Sequence, residues 1–151
     1  MHQDARRRLE DLLDREIDAA RLLSTALAAE RTALTGDSPE AVRQQAVEKI
    51  RLLQTLEGLE HERGKLCAAA GLGAASEFGA APDSSGITHR WRALMAVIGG
   101  CRTANEVNGY IINVRQHQIR QLIDIVRGPP PGIYGPHGKT FAKSLRALAQ
   151  A

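Results

Sequence analysis

The sequence predicts an all-α protein: an elongated, antiparallel, coiled-coil-like bundle of three helices that run up, down and up, followed by a flexible C-terminal tail. Apolar residues recur at alternating steps of three and four over long stretches, which is the spacing of packed helices. Glycine and proline cluster at a few places between these stretches. Only 3% of the 151 residues are aromatic, fewer than a β-sandwich or β-barrel of this size normally contains.

The first helix is predicted over residues 4–34, which contain neither proline nor glycine. The next residues predict the end of this helix and the start of a second one. Gly36 suits the position just after a helix C-terminus, Ser38 suits an N-cap, and Pro39 suits the first helical turn. The stripe that should face the other helices consists of Leu9, Leu12, Leu13, Glu16, Ile17, Ala20, Leu23, Leu27, Glu30 and Leu34.

The second helix is predicted over residues 39–70. Residues 71–87 then change abruptly to glycine, alanine and serine, which predicts a mobile loop. The stripe of the second helix is read as Val42, Ala46, Lys49, Ile50, Leu53, Leu56, Leu59, Arg63, Leu66 and Cys67.

The third helix is predicted over residues 88–127, with Thr88 as its N-cap and Ser84 or Ser85 as earlier candidates for that position. Forty residues at 1.5 Å each would make it roughly 60 Å long. Its seam again follows steps of three and four, through Trp91, Leu94, Ile98, Cys101, Asn105, Asn108, Ile112, Arg115, Ile119, Leu122 and Val126.

Two domains follow from this pattern, a helical bundle over residues 1–127 and a tail over residues 128–151. Three consecutive prolines at 129–131 stop the third helix. Within the tail, a short amphipathic segment over residues 140–149 places Phe141, Leu145 and Leu148 on one helical face. A segment of about ten residues is too short to be a stable helix alone, so it must dock on something or fray.

Composition and charge exclude several classes of function. Residues 1–127 carry 17 basic and 17 acidic residues, and the formal charge of +3 comes from the tail. Such a chain lacks the broad basic face of a nucleic-acid-binding protein. No apolar run reaches the roughly 18–20 residues of a membrane span. Met1-His2-Gln3-Asp4 leads straight into charged sequence, so we expect no signal peptide. Two cysteines make no disulfide framework, so we expect a cytoplasmic protein in which Cys67 and Cys101 are buried and free.

No catalytic, cofactor-binding or metal-binding constellation is recognisable. Gly138-Lys139-Thr140 resembles part of a phosphate-binding loop, but Ile133 stands where that motif requires glycine. The five histidines are scattered without metal-ligand spacing. We therefore expect a protein that is not an enzyme and that has no cofactor.

Two features of the third helix leave alternatives open. Asn105 and Asn108 lie on the packing stripe, where they would either fix the register of the helices or contact a partner near Gly109. A second apolar stripe lies roughly 110° from the seam, which means either packing of another helix inside the protein or a groove for a partner helix. The second stripe consists of Ile111, Val114 and Ile125 with Gln118 and Gln121 between them.

Two motifs give the chain a resemblance to a known family. Asn105-Glu-Val-Asn108-Gly109 is followed by apolar residues, and Tyr134-Gly135-Pro136-His137-Gly138 comes after a break. This order of an N-x-x-N-G stretch and a Y-G-x-x-G segment resembles the FlgN family of flagellar type III export chaperones. The length and the three-helix order fit as well, so the resemblance covers essentially the whole chain.

The resemblance implies a cytoplasmic chaperone that binds the C-terminal helical region of hook-associated proteins, its clients. Such a chaperone prevents premature aggregation of the client and delivers it to the cytoplasmic domain of the export gate. Tyr134 is the candidate for contact with the gate. The candidate client-binding residues are Asn105, Asn108, Gly109, Ile111, Ile112, Val114, Gln118, Gln121, Ile125, Phe141, Leu145 and Leu148.

Two other interpretations remain. A coiled-coil adaptor without an export role would show the same heptads in its first two helices. Self-association through a surplus apolar stripe is also compatible with the pattern. We expect neither nucleic acid nor membrane insertion among the partners.

Overall fold

Three helices form the part of the chain that the computed structural model describes, residues 2–71, 73 and 86–129. Helix α1 spans His2–Thr35, α2 spans Pro39–Ala70 and α3 spans Gly86–Arg127, and the described residues contain no strand. The predicted all-helical bundle is confirmed. The chain divides into two units, Met1–Ile111 and Ile112–Ala151. The predicted loop and tail lie almost entirely outside the described residues, and their separation from the bundle stays a prediction.

The apolar stripe of α1 supplies most of the core of the first unit. Leu9, Leu13 and Ala20 have no exposed surface, and Leu27 has 1%. Every residue of the predicted α1 stripe is buried, including its two glutamates. This agreement is expected because the 3.5-residue spacing keeps one face of α1 against its neighbours along the whole helix.

The turn between α1 and α2 has the predicted capping residues. The Ser38 side chain accepts a hydrogen bond from the Ala41 main-chain N–H at 3.2 Å, and Pro39 occupies the first turn of α2. This arrangement satisfies one free N–H group and places proline where no N–H is needed. At the other end of α2, Gly71 adopts a left-handed conformation with φ 64° and donates to the Ala68 carbonyl.

Ion pairs show that α1 and α2 run in opposite directions. Glu16 pairs with Arg63, and Glu30, fourteen residues further along α1, pairs with Lys49, fourteen residues earlier in α2. A pairing that advances along one helix while it retreats along the other is antiparallel.

Helices α1 and α3 run in the same direction. The Cys101 thiol contacts the Ala20 carbonyl oxygen at 3.5 Å, and the Asn108 amide donates to the Leu27 carbonyl oxygen seven residues further along both helices. Together with the antiparallel α2, this constant offset gives the predicted up-down-up order.

Two details of the helices differ from the sequence prediction. In α2, Leu52 is buried whereas Ile50 and Leu53 are about half exposed. The inward face of α2 follows the pairing residues Lys49 and Arg63, and the helical repeat then brings Leu52 rather than its neighbours to that face. In α3, the helix begins at Gly86, so Thr88 lies within its first turn and is buried instead of capping it. The other N-cap candidates, Ser84 and Ser85, lie outside the described residues.

Both cysteines are buried and free, as predicted. Burial raises the pKa of the Cys67 and Cys101 thiols. Because the thiolate is the reactive form, both residues act here as small core side chains. Within the described ranges, no helix combines the length and apolar character that crossing a membrane requires.

Candidate functional site

The last turns of α3 expose a run of large apolar side chains. Ile119, Leu122, Ile123 and Val126 are 55%, 61%, 41% and 86% exposed. At about 100° per residue they fall within an arc of about 100° on one side of the helix. We call these four residues the distal stripe. Contiguous exposed apolar surface of this kind marks a binding surface more often than a single exposed side chain does.

Asn108 is completely buried and its side-chain amide is fully engaged. The amide nitrogen donates to the Leu27 carbonyl oxygen at 2.9 Å and to Glu30 Oε2 at 2.8 Å. The amide oxygen accepts from Arg31 Nε at 3.1 Å. A buried amide satisfied in this way fixes the register of α3 against α1, which is the structural alternative that the sequence had left open.

The other seam asparagine lies in a more open position. Lys49 Nζ donates to Glu30 Oε1 at 2.7 Å and reaches the Asn105 amide oxygen at 3.5 Å. Asn105 is exposed and Glu30 is buried. Lys49, on α2, thus contacts both α1 and α3, and its hydrogen bond with Asn105 is the longer and weaker of the two.

Lys49, Glu30 and Asn105 form one polar layer of the bundle. A second polar layer lies two heptads away. Arg63 Nε donates to both carboxylate oxygens of Glu16, at 2.9 and 3.1 Å, and its guanidinium lies 5.0 Å from the centre of the Trp91 ring. Burial, the largest effect, raises the pKa of the Glu16 carboxyl, whereas the charge and hydrogen bonds of Arg63 act to lower it. This cation–π and ion-pair combination compensates two buried charges.

The two polar layers repeat with the same spacing in every helix. Fourteen residues separate Glu16 from Glu30, Lys49 from Arg63, and Trp91 from Asn105. Two heptads return a side chain to the same face of a coiled-coil helix. Equal spacing in all three helices therefore brings a glutamate, a cation and an α3 residue together at two levels, and it disfavours any other register.

A comparison with protein families identifies the chain. The model of the family described as "FlgN protein" matches residues 1–141. The chain belongs to the FlgN family. FlgN proteins are flagellar export chaperones, a family not known for enzymatic activity. No curated protein and no solved structure matches the chain.

This FlgN protein presents its sequence-predicted client-binding residues unevenly. Asn105, Val114 and Gln118 are exposed, and Asn108 is buried within the bundle. Gly109, Ile111, Ile112, Gln121 and Ile125 are partly buried. Tyr134, Phe141, Leu145 and Leu148 lie outside the described residues.

The distal stripe of the FlgN protein was not among the sequence-predicted site residues. The α3 seam predicts packing for Ile119, Leu122 and Val126, so their exposure corrects that prediction, and Ile123 belongs to neither predicted stripe. A signal was nevertheless present, since the sequence places two apolar stripes on the second half of the third helix, more than one packing face requires. Among the described residues, no group of three or more His, Cys, Asp and Glu side chains could hold a metal ion.

Proposed function

We propose that this FlgN-family protein is a cytoplasmic export chaperone for hook-associated proteins. In this proposal it binds the C-terminal helical region of its client, prevents premature aggregation and delivers the client to the flagellar type III export gate. Family membership supports the general role, and the exposed distal stripe is the observation that supports client binding.

An amphipathic client helix requires an apolar face on its chaperone, as in other cases of helix-in-groove recognition. The distal stripe offers four large apolar side chains over two turns of helix. Val114 and the partly buried Ile111 and Ile125 lie beside it on α3. We propose that the client contacts both sets of residues, with the distal stripe as the centre of the interface.

The tail has a separate place in the proposal. Phe141, Leu145 and Leu148 form an apolar face that would add to the client contact. Tyr134 is proposed to contact the export gate, a role implied by the Y-G-x-x-G segment that contains it.

Calorimetric titration of the full chain with the C-terminal helical segment of the first hook-associated protein of its organism tests client binding. We expect tight one-to-one binding with a negative change in heat capacity, because apolar surface is buried. Absence of binding at tens of micromolar would contradict the proposal and favour a coiled-coil adaptor.

A pair of matched variants tests the distal stripe. Leu122→Asp with Val126→Asp should abolish client binding while helicity by circular dichroism is unchanged. Val47→Asp with Ile50→Asp is the control, because these α2 side chains are similarly exposed, at 68% and 54%. Equal loss of binding in both double variants would count against the distal stripe as the specific site.

A triple variant tests the second stripe separately. Ile111→Asp, Val114→Asp and Ile125→Asp together should weaken client binding while helicity survives. A collapse of helicity would instead identify these residues as core, and the proposed interface would then be restricted to the distal stripe.

The role of Tyr134 is tested by Tyr134→Ala. We expect unchanged client affinity and impaired secretion of the client from cells. A parallel loss of affinity and secretion would contradict a role specific to the export gate.

A further inference from the structure

Two arginines border the distal stripe on one side of α3. Arg120 and Arg127 are exposed and seven residues apart. On a helical wheel they lie about 110° and 90° from the centre of the stripe, on the same side. The opposite border carries the uncharged Gln118 and Ile125. The charge along the length of the stripe is therefore basic and on one side, and the partly buried Arg115 adds a further basic residue in line with the stripe, one turn before Ile119.

Neither of these two guanidinium groups takes part in an ion pair within the described part of the chain. Asp124 is the one acidic residue of residues 112–129. It is four residues after Arg120 and three before Arg127, so it neighbours both on the helix surface, but it lies about 40–60° further round the helix, away from the stripe. Both arginines can therefore pair with a charge brought by a partner.

We propose that the distal stripe accepts an amphipathic helix whose apolar face is bordered by acidic residues, and that Arg120 and Arg127 select it. This inference rests on the proposed function and specifies the chemistry of the partner segment. Seven-residue spacing on α3 matches a partner helix with acidic residues two turns apart on its flank. Charge pairs at such a border act mainly on selectivity and association rate, and the apolar stripe supplies most of the affinity.

Charge also disfavours two other occupants of the stripe. The tail of this chain, residues 128–151, contains Lys139, Lys143 and Arg146 and no acidic residue. Two copies of the stripe packed together would bring four arginines to one interface, against two aspartates placed further from it. Like charges at such short range oppose association.

A pair of model peptides tests the inference with the full chain. Both peptides have about 25 residues, long enough to form helix on binding, and share one leucine stripe. One carries glutamate at the bordering positions and the other carries lysine. In fluorescence anisotropy at low salt, we expect the glutamate peptide to bind about tenfold more tightly, with the difference shrinking at high salt.

Variants assign the selectivity to the two arginines. Arg120→Gln with Arg127→Gln should reduce the affinity ratio of the two peptides to about one. Arg7→Gln with Arg102→Gln is the control, since these arginines are also exposed but lie elsewhere in the protein, and it should leave the ratio unchanged. Equal binding of the two peptides, tighter binding of the lysine peptide, or no binding of either would overturn the inference.

A second copy of the chain or the chain's own tail on the distal stripe would each give a different, recognisable result. A dimer in sedimentation that becomes a monomer on Leu122→Asp would identify a second copy on the stripe. Tighter binding of both peptides to Leu145→Asp with Leu148→Asp would identify the tail as the occupant. Either result would overturn the inference. Titration with the hook-associated segment reports independently on the proposed function, so selectivity can fail while client binding stands.

Discussion

The side-chain amide of Asn108 donates a hydrogen bond to the main-chain carbonyl oxygen of Leu27 at 2.9 Å. This contact joins α3 to α1 at a completely buried position, where a shift by one residue would leave the amide without partners. The N-x-x-N-G motif that characterises the resemblance to FlgN thus has an architectural role at its second asparagine. Its first asparagine, Asn105, remains exposed beside Lys49.

Replacement of Asn108 by alanine should destabilise the protein by about 2 kcal/mol, because three hydrogen bonds are lost and Arg31 and Glu30 each lose a partner. Urea unfolding followed by circular dichroism measures the loss. Asn105→Ala is the control and should cost less than about 0.5 kcal/mol, since this side chain is exposed and its one hydrogen bond is 3.5 Å long. Similar losses in the two variants would contradict the register role of Asn108.

Replacement of Arg63 by alanine should cost about 3–5 kcal/mol, because Glu16 would remain buried without its counter-charge. The exposed pair of Arg43 and Glu40 provides the comparison, and Arg43→Ala should change the free energy of unfolding by at most about 0.5 kcal/mol. A double change to Glu16→Leu and Arg63→Met should recover most of the stability lost on Arg63→Ala, since no unpaired charge is left. Thermal or urea unfolding of the four proteins checks both statements.

The raised pKa of Glu16 predicts a specific dependence of stability on pH. A carboxyl whose pKa is higher in the folded than in the unfolded protein binds its proton more readily when folded. Its contribution is complete below the ordinary pKa of 4.5 and is lost as the pH rises through the folded value. The free energy of unfolding of the protein minus that of Glu16→Gln should therefore decrease as the pH is raised from 4 to 7.

Glu48 provides a control of opposite sign for this measurement. Its hydrogen bond with Arg51 lowers the pKa of its carboxyl. The corresponding difference for Glu48→Gln should increase over the same pH range. An increase for Glu16→Gln as well would mean that the attraction of Arg63 exceeds the effect of burial.

Alanine in place of Gly99 should stabilise the protein by about 0.5–1 kcal/mol. Gly99 lies in the interior of α3, and a β-carbon added there would meet nothing within 4 Å beyond the adjacent backbone of its own helix, so the substitution acts by restricting the unfolded chain. Gly71→Ala should have the opposite effect, about 1 kcal/mol of destabilisation, because Gly71 has φ 64° at the end of α2. Melting temperatures of both variants check the two signs.

Local patterns were enough to predict the helices. The 3.5-residue spacing of α1 identifies its buried face, since apolar side chains at that spacing can be removed from water only on one side. Ser38 and Pro39 mark the start of α2 through hydrogen bonding and ring geometry that involve a few neighbouring residues. These features depend on interactions within about one helical turn, so they can be recognised directly from the sequence.

Tertiary structure alone decided which polar residues are paired and which apolar residues are left exposed. Asn105 and Asn108 occupy similar seam positions in the sequence, yet only Asn108 is completely buried. Glu16 forms its ion pair with Arg63, which lies 47 residues later in the sequence. Three residues of the distal stripe continue the same seam as Leu94 and Cys101 but remain exposed, namely Ile119, Leu122 and Val126. For the polar residues the outcome depends on which residue of another helix lies at the same level, and the periodicity of a single helix does not contain that information.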